Sequence, residues 1–130
     1  MSVVADMAEI TERHAGESLR YFAEVPPDSR EVTVHHRREG LVWTDARERE
    51  VEEELHELTA KASYEEAMDA TNVNQIVKVA DDKVLFTGFI DDTVAVAAFE
   101  RGILATLPAI VAEFREYMIE EDIEFVALEL

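Results

Sequence analysis

The sequence predicts an α+β protein: a single mostly antiparallel five-stranded sheet packed with helices, in the order α-β-β-α-β-β-β-α. Three observations lead there. Two short alternating runs flank the turn Pro26-Pro27-Asp28-Ser29. Three further strand-like runs follow residue 73, joined by Asp81-Asp82 and Asp91-Asp92, and Asp tolerates the turn conformations such links need. Around them, apolar residues recur at helical spacing. With no linker, repeat or low-complexity segment, one domain over residues 1–130 is expected. Such a chain can bury roughly two-thirds of the surface it exposes when unfolded.

Taken in order, residues 2–16 read as an amphipathic helix with Val3, Met7 and Ile10 on one stripe, Ser2 placed to cap it and Gly16 to stop it. Leu19–Val25 and Glu31–Arg37 read as an antiparallel hairpin, Val32 and Val34 facing one way, Thr33 and His35 the other. Gly40 breaks the pairing. Thr44 and Asp45 open the longest helix, where Asp45 and Glu48 have capping-box spacing. Val51, Leu55, Leu58 and Ala62 form its stripe, and Ser63 with Glu66 marks a place to break and restart through Ala70. The meander spans roughly 74 to 80, 83 to 90 and 93 to 100. Val84, Phe86 and Ile90 oppose Leu85 and Phe89 on its middle run, which suggests a central strand covered on both faces. Gly102 ends the sheet. Thr106 and Pro108 open a last helix whose buried stripe is Leu107, Ile110, Val111, Phe114 and Met118. The tail Glu124–Leu130 is apolar enough to dock.

Thirty acidic residues face twelve basic ones, a net charge of −18. An acidic face for a basic partner and a disordered acidic tail are two readings. Dispersed acids in a chain that is 48 % hydrophobic favour a third, a surface suited to molar salt, where charge repulsion is screened within about 3 Å. No cysteine is present, which excludes disulfides, thiolate metal sites and a cysteine nucleophile, and fits a reducing cytoplasm. No apolar run approaches the roughly 18 residues of a membrane span, and Met1–Ile10 lacks the pattern of a signal peptide. A cytoplasmic protein is expected.

Chemistry-bearing motifs are scarce. His35 and His36, adjacent in a strand, should face opposite ways and not share an ion. His56 follows Glu53 at the spacing of carboxylate-bridged metal bundles, but no second copy exists. His14 suits a helix C-terminus. No serine sits in a Gly-x-Ser-x-Gly elbow, and four glycines make neither a phosphate loop nor a dinucleotide fingerprint. The Asp pairs read as turns. No metal, no cofactor and no catalytic residue are expected. The concentrated positive stretch is His35-His36-Arg37-Arg38. It reads first as neutralising neighbouring acids, and alternatively as binding a phosphate, an acidic partner or nucleic acid, although two arginines are thin for a duplex. Trp43 reads as a core or edge anchor, or as an exposed contact residue. Candidate binding residues are therefore His35, Arg37, Arg38 and Trp43.

Over roughly residues 10 to 100 the chain resembles small haloarchaeal proteins of unassigned activity. The likeness is carried by Gly16-Glu17-Ser18-Leu19-Arg20-Tyr21, Glu31-Val32-Thr33-Val34-His35, Glu65-Glu66-Ala67 and the Asp81-Asp82 hairpin, and it implies salt adaptation. In layout the chain is similar to the roadblock and longin group, which implies a five-stranded sheet between helices used for protein docking, often as a homodimer or beside small GTPases. Two functions are carried forward. The first is a non-catalytic interaction or regulatory module, acting on a protein partner or on itself. The second is a small-ligand sensor or enzyme with a site near His35, Arg37 and Trp43. Nucleic-acid binding is a distant third.

Overall fold

The computed structural model describes residues 2–26, 31–90 and 93–123. Ser2 caps α1 (Val3–Ala15), its hydroxyl accepting the Ala5 N–H at 3.3 Å. Gly16 ends the helix at φ 54°, a left-handed value that residues with a Cβ adopt only at a cost. The strands β1 (Leu19–Val25), β2 (Thr33–Arg37), β3 (Gln75–Val79), β4 (Val84–Ile90) and β5 (Thr93–Phe99) form one sheet in the order β2-β1-β5-β4-β3, every neighbour antiparallel. The predicted hairpin and both pairings of the predicted meander are present. Asp81 and Asp82 make the β3–β4 turn, closed by the Ala80 N–H donating to the Lys83 carbonyl at 2.8 Å. Most of the Pro26–Ser29 turn, the Asp91-Asp92 turn and the tail Glu124–Leu130 lie outside the described residues.

The middle strand is β5, not β4. All of Val94–Phe99 is buried: Ala95, Ala97 and Phe99 face α1 and α4 (Leu107–Glu120), while Val94, Val96 and Ala98 face the other side. The two faces read for β4 are as expected, with Val84, Phe86 and Ile90 on the α1/α4 side and Leu85 and Phe89 opposite. In α4 all five stripe residues are buried. Thr106 makes no side-chain cap bond there, because a 3-10 turn, Arg101–Ala105, leads into the helix and holds Thr106 at helical φ and ψ.

Two bulges depart from the simple alternation. Leu19 pairs Phe99 and Tyr21 pairs Ala98, so Arg20 is an extra residue on β1. The insertion reverses the alternation, which is why Leu19 joins the α1/α4 core while Tyr21 joins the opposite one. On β2, Phe22 pairs His36 and Ala23 pairs Val34, leaving His35 as the extra residue.

The long helix is divided in two, though not at the expected place. In α2 (Asp45–Glu53) the cap is Thr44, whose hydroxyl accepts the Arg47 N–H at 3.2 Å, so Asp45 and Glu48 form no capping box. The break before α3 (Leu55–Met68) falls at Glu54 rather than Ser63, in a tightened turn with the Glu54 N–H on the Val51 carbonyl at 3.0 Å. Here Glu54 turns inward, 4 % exposed, and accepts Lys78 of β3 at 2.9 and 3.0 Å. Lys78 also reaches Glu57 at 3.0 Å. Only the acid is buried: the Lys78 side chain is 45 % exposed, so solvent screens its end of the pair. The α3 stripe is shallower than predicted: Leu55 and Leu58 are half-buried and Ala62 is exposed, since the helix rests on the edge of the sheet.

Between α2/α3 and the sheet, the Thr87 hydroxyl is buried with no hydrogen-bond partner among the described residues. An unsatisfied buried hydroxyl costs about 1–3 kcal/mol. Thr87→Val keeps the shape and removes that cost. Urea unfolding should therefore show a gain of about 1 kcal/mol, and a loss would show the hydroxyl to be satisfied.

Candidate functional site

Trp43 ends the loop from β2 to α2 and is half-buried. Its ring meets Tyr21 edge-on, with centroids 5.1 Å apart and planes at 87°, the geometry the ring quadrupoles favour. Its indole N–H donates to Glu48 at 3.2 Å. With Val34, His35, His36 and Arg37 it lines an open groove of about 410 Å³. Three of the four sequence-predicted binding residues are thus together.

The histidines there are engaged. His35 Nε2 lies 2.6 Å from Glu24, and His36 Nδ1 lies 3.4 Å from Glu12 of α1. Glu24 alternates with Phe22, which faces α1, so both histidines are tied to acids on the same side of the sheet. The opposite-face expectation fails because the bulge at His35 breaks the strict alternation. Arg37 is exposed and has no carboxylate within ion-pair reach among the described residues.

Arg38 points elsewhere. Its Nη1 donates to Glu100 at 2.9 Å and to the Glu17 carbonyl at 2.9 Å. Arg20, aimed by its bulge, takes both oxygens of the same Glu100 at 2.8 and 2.9 Å and donates to the Asp82 carbonyl at 2.6 Å. One carboxylate thereby ties the ends of β1, β2 and β5 to the β3–β4 turn. Hydrogen bonds from Arg20 and then Arg38 hold the Glu100 pKa down to about 2.

Tyr21 also lines a cleft of about 280 Å³, with Arg20, Arg47, Glu50 and Lys83 among others. The Tyr21 hydroxyl donates to Glu50 at 2.6 Å, and Lys83 also pairs with Glu50. Burial, then the Glu50 bond, push the phenol above its ordinary value. Tyr21 therefore stays a protonated donor, and these groups satisfy one another rather than waiting on a ligand. Arg47 is the exception: its guanidinium has a carbonyl partner, Val42 at 2.6 Å, but no carboxylate among the described residues.

The other histidines are peripheral. His56 is exposed on α3, and His14 joins Arg13 on Glu113, linking α1 to α4. Among the described residues no three His, Asp or Glu side chains are arranged to hold a metal ion, and no helix is long and apolar enough to cross a membrane.

The two sheet edges differ. On β2 the edge carries the His35 bulge and the Arg37 charge. On β3 it is an uninterrupted ladder against β4, with Val77 and Val79 38 % and 64 % exposed and Lys78 between them turned to Glu54 and Glu57. Beside it, α3 buries no residue, and Thr59, Ala62, Ser63, Ala67 and Met68 lie exposed on it. Sequence reading placed Val77 and Val79 on a strand but could not see that the strand is an edge.

No protein-family model and no curated protein matches the chain. Among solved structures, the gliding protein MglB of Thermus thermophilus is similar with TM-score 0.65, over 86 % of this chain and 82 % of that one, at 11 % sequence identity. That likeness establishes the roadblock/longin fold. The comparisons do not bring out the haloarchaeal family.

Glu100 yields a pH test. Its folded pKa lies below the ordinary 4.5, so its contribution is present above that value and fades as pH falls toward about 2. At constant salt, Glu100→Gln should melt lower than the parent at pH 7, and the gap should close as pH approaches 2. A gap independent of pH would remove the tie from the account.

Proposed function

We propose that this chain is a non-catalytic protein-docking module of regulatory kind that works by joining a second copy of itself along β3. The observation that carries this is the contrast between the two sheet edges. A flat outer strand with unpaired backbone groups and exposed valines is a template for another strand unless it is blunted. β2 is blunted by a bulge and an outward charge, whereas on β3 the one charge, Lys78, is drawn to Glu54 and Glu57, leaving Val77 and Val79 as the exposed side chains of an unbroken edge. Thr59, Ala62, Ser63 and Ala67 are small exposed side chains on α3, and Met68, 68 % exposed, adds apolar surface for a second copy to cover. Two copies of β3 running antiparallel satisfy two-fold symmetry, each presenting the same surface to the other. The roadblock/longin layout, used for docking within its group, supports the same reading.

The acid excess, with most acids exposed, supports a chain adapted to concentrated salt and, together with the absence of cysteine, a cytoplasmic one. Salt matters to docking here, because two copies each carrying −18 repel unless screened.

Light scattering after gel filtration in molar potassium chloride should give about twice the chain mass of 14.7 kDa. Val79→Lys, which places a charge on the joining edge, should return it to the single-chain mass with unchanged circular dichroism. A parent that stays at the single-chain mass at every concentration rules out self-pairing.

The Debye length grows from about 3 Å at 1 M salt to about 10 Å at 0.1 M. Lowering potassium chloride over that range should lower the melting midpoint by roughly 5–10 °C, the size expected for about 2 kcal/mol. An unchanged midpoint refutes salt adaptation.

A further inference from the structure

We infer that the surface around Trp43 is a docking site for an extended acidic segment of a partner protein, an apolar side chain packing on the indole and carboxylates meeting Arg37 and Arg47. The site lies at the β2 edge of the sheet, opposite β3, so it stands or falls separately from self-pairing.

Charge carries the argument. The carboxylates around Trp43 are largely taken: Glu24 by His35, Glu12 by His36, Glu48 by the indole, Glu50 by Tyr21 and Lys83. The two guanidinium groups are not. Arg37 lines the groove without a carboxylate among the described residues, and Arg47 is held by the carbonyl of Val42, the residue before Trp43. In a chain of net charge −18, two arginines left without acids beside the sole tryptophan form a local complement to negative charge. Each has exposed apolar surface beside it: Val34, 38 % exposed, lines the groove with Arg37, and Val42, 70 % exposed, holds Arg47 by its carbonyl. Trp and Arg together are the composition of interface anchor points, and the groove, about 410 Å³, falls within the range of recognition clefts.

The backbone adds a reason for an extended occupant. The Arg38 N–H donates to the Arg20 carbonyl at 2.9 Å, and bonded pairs alternate along an antiparallel ladder. The Arg37–Tyr21 pair is then the unbonded kind, and Arg37 turns its own N–H and carbonyl outward. The bulge at His35 stops a long strand from pairing there, so a short segment fits this edge better than a second copy. Two arginines are too few for a duplex.

Trp43 is the one tryptophan of the chain, so its emission reports this site alone. A random twelve-residue display library would be panned on the full chain, in the lowest potassium chloride that keeps it folded. Enriched sequences should combine Asp or Glu with an aliphatic or aromatic residue. A synthetic copy should shift Trp43 emission saturably and lose affinity as salt rises. Arg37→Glu and Arg47→Glu should each weaken it at least about tenfold with circular dichroism unchanged. If Arg47→Glu fails to fold, the exposed Arg37 still decides. No enrichment, enriched peptides without acids, or affinity indifferent to Arg37→Glu overturns the proposal. So does a response of Trp43 to citrate, phosphate or oligothymidylate matching that to the peptide, which would reassign the groove to small anions or single strands.

Discussion

Every side chain from Val94 to Phe99 is withdrawn from water, and a strand in that condition needs both faces covered and both sides paired. Much of the architecture follows. β1 and β4 flank β5, α1 and α4 close one face, and α2 with α3 close the other. Ala95, Ala97 and Ala98 keep the middle of the sheet thin, while the bulk comes from neighbours such as Phe22, Tyr21 and Phe89. Only the outermost strands, β2 and β3, retain free backbone groups, and any strand-to-strand association with another protein is confined to them.

With twelve cations against thirty acids, the placement of each positive charge is informative. Arg20 and Arg38 share Glu100 where the ends of β1, β2 and β5 meet. Lys78 neutralises the buried Glu54 that interrupts the helix. Arg13 and His14 hold Glu113, and Tyr117 donates to Asp6, so α1 and α4 are fastened at two levels. These cations sit where elements join. Arg37 has no such task, and unlike Arg49, Arg101 and Arg115, which are also without an ion pair among the described residues, it lines the groove of the sole tryptophan.

The order of elements, the predicted pairings and the core faces of β4 and α4 were legible in the sequence, because alternation, helical spacing and turn residues are local signals. What was not legible depends on partners far along the chain. The bulges at Arg20 and His35 involve no glycine and show only in the register against β5 and β1. The helix break at Glu54 follows from Lys78, twenty-four residues away, which gives a buried acid its counterion. Within the candidate site, the neighbourhood of Arg37 and Trp43 was foreseeable from their proximity along the chain. The diversion of Arg38 to Glu100 was not, since it required knowing that β2 and β5 both flank β1.

The unequal edges bear on how large an assembly can grow. A sheet with two flat borders can add copies at either side without limit, and its end state is a fibre. With one border flat and the other kinked at His35, the pairing proposed along β3 would stop after a single union. Under that proposal, one inserted histidine would separate a finite particle from an open-ended polymer, and its deletion would straighten the second border.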